Sequence, residues 1–69
     1  MDAVQKELAD RKDAIKKELE TLFKANMKIT DWDVPEADDN KAAKILISIF
    51  KETINEIEED IKVGKYDNY

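Results

Sequence analysis

Apolar residues recur along this chain at helical spacing in two long stretches separated by one that breaks the period. In the denser stretch, residues 41–63, Ala43, Leu46, Phe50, Ile54, Ile57 and Ile61 fall within one narrow sector when placed at about 100° per residue. In the N-terminal stretch Val4, Leu8, Ile15, Leu19 and Leu22 lie on one side and Phe23 flanks them. Arg11 or Lys12 occupies the missing turn, with a stem long enough to cover apolar surface while its charge stays in water. The pattern predicts two amphipathic helices, over 2–26 and 41–63.

Punctuation at the ends agrees. The Asp2 side chain is placed to accept from the first turn, and Gln5 stands three residues on, the spacing of a capping box. Asn26 is a plausible terminator of the first helix. Ile29 and Thr30 are β-branched, and Pro35 disfavours helix at Val34 before it. Residues 27–40 are therefore expected to form a long structured connection with a short helical turn at 35–38. Asp33 is a candidate cap for an early start of the second helix, and Asp38, Asp39 or Asn40 for a later one. Gly64 follows Lys62 and Val63 as a left-handed cap, after which 64–69 is expected to be a flexible tail. Glu58, Glu59 and Asp60 oppose the helix dipole there, with Lys62 and Lys65 available to compensate.

Composition narrows the class. Sixty-nine residues make one domain at most, in the range where a single core barely offsets chain entropy and a disulfide, a metal or another subunit is commonly added. The chain has no Cys and no His, which removes disulfides and the usual transition-metal ligands and leaves self-association. Charged residues make up 42% of the sequence, and Gly and Pro contribute one residue each, a balance suited to solvated helices. Glu7–Arg11, Asp13–Lys17 and Glu20–Lys24 are i to i+4 pairs in the favourable orientation. No stretch has the make-up of a signal peptide or the roughly 20 apolar residues of a membrane span, so a soluble cytoplasmic protein without membrane contact is expected.

The fold expected is all-α: an antiparallel two-helix hairpin with Leu19 near Leu46, Ile15 near Phe50, Leu8 near Ile57 and Val4 near Ile61. Each apolar stripe is wider than a two-helix seam hides. Phe23, Ile47 and Ile54 lie at the margins, so two hairpins are expected to pair as a homodimer forming a four-helix bundle.

Chemistry is sparse. The net charge of −5 is concentrated in residues 27–40, with five acidic residues and one basic, whereas 2–26 is balanced. Direct nucleic-acid binding wants a basic stripe and is disfavoured. A calcium loop counted from Asp31 places Asp33 at the third position but Pro35 at the fifth, Glu36 at the sixth, where Gly is needed, and Ala42 at the twelfth, where Glu is needed. That motif fails, and no metal or cofactor is expected. With no His or Cys, Ser48 as the sole serine, one Gly and Arg11 as the sole arginine, the chain lacks the groups of an acid–base, nucleophilic or phosphate-binding enzyme.

Trp32 is the residue that asks for an account. It is expected either to fold back with Met27, Ile29 and Val34 as a lid over Ile45 and Ile49, the second apolar side of the C-terminal helix, or to meet a protein partner. The function expected is that of a small acidic interaction module that binds and regulates or scaffolds another protein. The alternative is a nucleic-acid mimic that occupies a basic groove on a DNA- or RNA-binding protein.

Overall fold

The computed structural model describes residues 2–69. It is all-α: two helices in the helix–connection–helix order of a hairpin, with no strand among the described residues. Helix α1 spans Ala3–Asp33 and helix α2 spans Asp39–Lys62. The chain divides into two compact units, Met1–Pro35 and Glu36–Tyr69, one for each helix.

In α1 the capping box forms as the sequence predicts. The Gln5 amide donates to Asp2 Oδ1 at 2.7 Å, and the Asp2 amide donates to Gln5 Oε1 at 3.0 Å, satisfying two donors that the first turn leaves open. The far end corrects the prediction, because the helix continues past Asn26 for two further turns. Asn26 does not turn away to bond a neighbouring backbone group; its Nδ2 donates back to the Leu22 carbonyl at 2.9 Å. Thr30 Oγ1 does the same to the Asn26 carbonyl at 3.0 Å. These i to i−4 bonds place polar side chains within the helix instead of against it. The β-branched residues cost only a few tenths of a kcal/mol each, and nothing between 26 and 33 removes a backbone donor. Pro35 does, and it also bars Val34 from the helical region. Val34 accordingly leaves the helix at φ −133°, ψ 78°, while its amide still donates to the Thr30 carbonyl at 2.8 Å.

The connection is consequently short, 34–38. Pro35 and Glu36 form a turn where a short helical segment over 35–38 was expected, and Asp38 is occupied as a cap. Asp38 Oδ1 accepts from the amides of Asn40 at 2.9 Å and Lys41 at 3.3 Å, so α2 begins at Asp39, two residues before the predicted start. Asp39 in the first turn also suits the positive end of the helix dipole.

The C-terminal end of α2 closes as a Schellman motif. The Gly64 amide donates to the Ile61 carbonyl at 3.1 Å and the Lys65 amide to the Asp60 carbonyl at 3.0 Å, with Gly64 at φ +84°. Where an apolar contact often accompanies this motif, Lys65 Nζ sits 3.3 Å from Asp60 Oδ2. Lys62 similarly pairs with Glu59 at 3.2 Å, so both lysines answer acids that oppose the dipole. In the segment expected to be a flexible tail, the Asp67 amide donates to the Gly64 carbonyl at 3.1 Å, and the Tyr66 and Tyr69 rings meet edge to face at 5.5 Å.

Along α1, Lys24 reaches Glu20 at 2.9 Å as expected, and Lys6 reaches Asp10 at 3.2 Å. Glu7–Arg11 and Asp13–Lys17, at the same spacing, are not among the ion pairs of the described residues. All these groups are largely exposed, where a pair is worth a few tenths of a kcal/mol and loses little by staying open.

Candidate interaction surfaces

No described side chain is buried. Half-covered residues cluster near one end of each helix. In α1 they are Phe23, Asn26, Met27 and Thr30, spaced to share one face; in α2, apart from Asp60 near its other end, they are Ala42, Ala43, Leu46 and Phe50. Farther along, both apolar stripes lie open, from 68% exposed at Val4 to 41% at Ile15 on α1, and from 42% at Ile57 to 56% at Ile61 on α2. Of the three predicted margin residues, Phe23 is half-covered, whereas Ile47 and Ile54 are exposed.

Trp32 is 85% exposed, on the last turn of α1. The cause is the extension of α1. A residue in a loop is free to fold back, but one on the last turn of a helix points where the helical period sends it. At about 100° per residue Trp32 lies about 180° from Phe23 and about 160° from Thr30, on the side of α1 away from its half-covered face. Val34, outside the helix, and Ile29, three residues before Trp32 on the same helix, are exposed with it. Ile45 and Ile49, the residues the lid was to cover, stand one turn apart on α2 and are both about half exposed.

A signal in the sequence marks this outcome. Leu8, Ile15, Leu22 and Ile29 repeat every seven residues without interruption across Asn26, and a seven-residue apolar repeat is a helical one. The local terminator signals at Asn26 and Thr30 point the other way.

The polar faces carry little chemistry. Shallow grooves run along single helices, one beside Ser48, Glu52, Asn55 and Glu59 and another beside Ala14, Lys17, Glu18 and Thr21. Glu20 has its pKa held below the usual carboxylate value by the hydrogen bond from Lys24 and by that lysine's charge. Among the described residues no group of three or more carboxylates is arranged to hold a metal ion, and no helix is long and apolar enough to cross a membrane. Compared with known protein families, with characterised proteins and with solved structures, the chain gives no match.

Proposed function

We propose that this protein is a non-enzymatic interaction module that presents the last turn of α1, led by Trp32, to an apolar pocket on another protein and so binds and regulates or scaffolds it. The observation that carries this reading is the 85% exposure of Trp32 on a helical turn facing away from the covered side of α1. An indole held in water contributes little to the fold, and its large rigid surface is the kind that dominates binding energies when a partner's pocket desolvates it. Ile29 and Val34 widen the apolar contact. The surrounding sequence, 27–40, carries five acids and one base, which favours a pocket with a basic rim.

The mimic of nucleic acid is less well supported. Mimicry wants uncompensated charge arrayed along a face, whereas α1 carries seven acidic and seven basic residues, and Asp10, Glu20, Glu59 and Asp60 each pair with a lysine.

A photo-crosslinking residue at position 32, used in the source cells, identifies the partner by mass spectrometry, and binding is then measured with both proteins purified. Trp32→Ala is expected to weaken that complex by about thirtyfold or more, the effect of a hot spot worth about 2 kcal/mol. Unchanged affinity in a variant of unchanged helicity refutes the reading.

A further inference from the structure

We draw no further inference here: the strongest candidate, the apolar face of α1 that carries Leu8, Ile15, Leu22 and Ile29, is one for which nothing in the structure shows what covers it.

Discussion

Replacing Trp32 with alanine separates a residue that holds the fold from one that the fold displays. A tryptophan side chain offers about 250 Å², and at 85% exposure only about 40 Å² of it is covered. At about 25 cal/mol per Å² that cover is worth about 1 kcal/mol. Alanine recovers roughly half of this, because its helix propensity exceeds that of tryptophan by about 0.5 kcal/mol. The net loss expected is therefore about 0.5 kcal/mol, against about 3–5 kcal/mol for an aromatic removed from a core. Urea unfolding followed by far-ultraviolet circular dichroism measures the difference, with both proteins at one concentration so that association does not enter. In the parent protein, the fluorescence of this sole tryptophan is expected to be red-shifted and fully open to iodide. A loss above about 2 kcal/mol, or a blue-shifted emission that iodide does not reach, refutes the placement of Trp32 and restores the lid.

Local features of the two helices give further expectations. Gly64→Ala forces a side chain into the left-handed region, with its Cβ 2.9 Å from Asp67 Oδ2, and is expected to cost about 1–2 kcal/mol in urea unfolding, with Gly64→Asn costing less. Asp2→Ala removes the acceptor for the Gln5 amide and is expected to cost about 1 kcal/mol and to raise amide hydrogen exchange in the first turn of α1. The Glu20 carboxylate is expected to titrate below its ordinary range by nuclear magnetic resonance, and Lys24→Met to return it there. Because its folded pKa is lowered, its small contribution is present above the unfolded pKa, is lost as pH falls through the folded one, and shrinks with added salt. Pro35→Ala lifts the bar on helix at Val34, and an increase in helicity by circular dichroism is the expected result.

Much of this protein is determined by interactions between residues a few positions apart, and those are legible in the sequence. The all-helical class, the Asp2–Gln5 box, and Gly64 as the left-handed terminator each depend on groups within about six residues of one another. The end of α1 is less legible, because Asn26 and Thr30 suit both a turn and a helix. Their bonds to the carbonyls four residues back settled that local contest, and Pro35, which has no such alternative, set the limit. What the sequence could not decide was coverage. Periodicity shows that Leu8, Ile15 and Ile57 share faces with other apolar residues, but not how much of each face its own chain hides. Only the three-dimensional structure leaves those stripes open and turns Trp32 to the uncovered side of its helix. The physical reason is that helix formation is satisfied within each segment by its own backbone, whereas burial depends on surfaces distant in sequence or absent from the single chain.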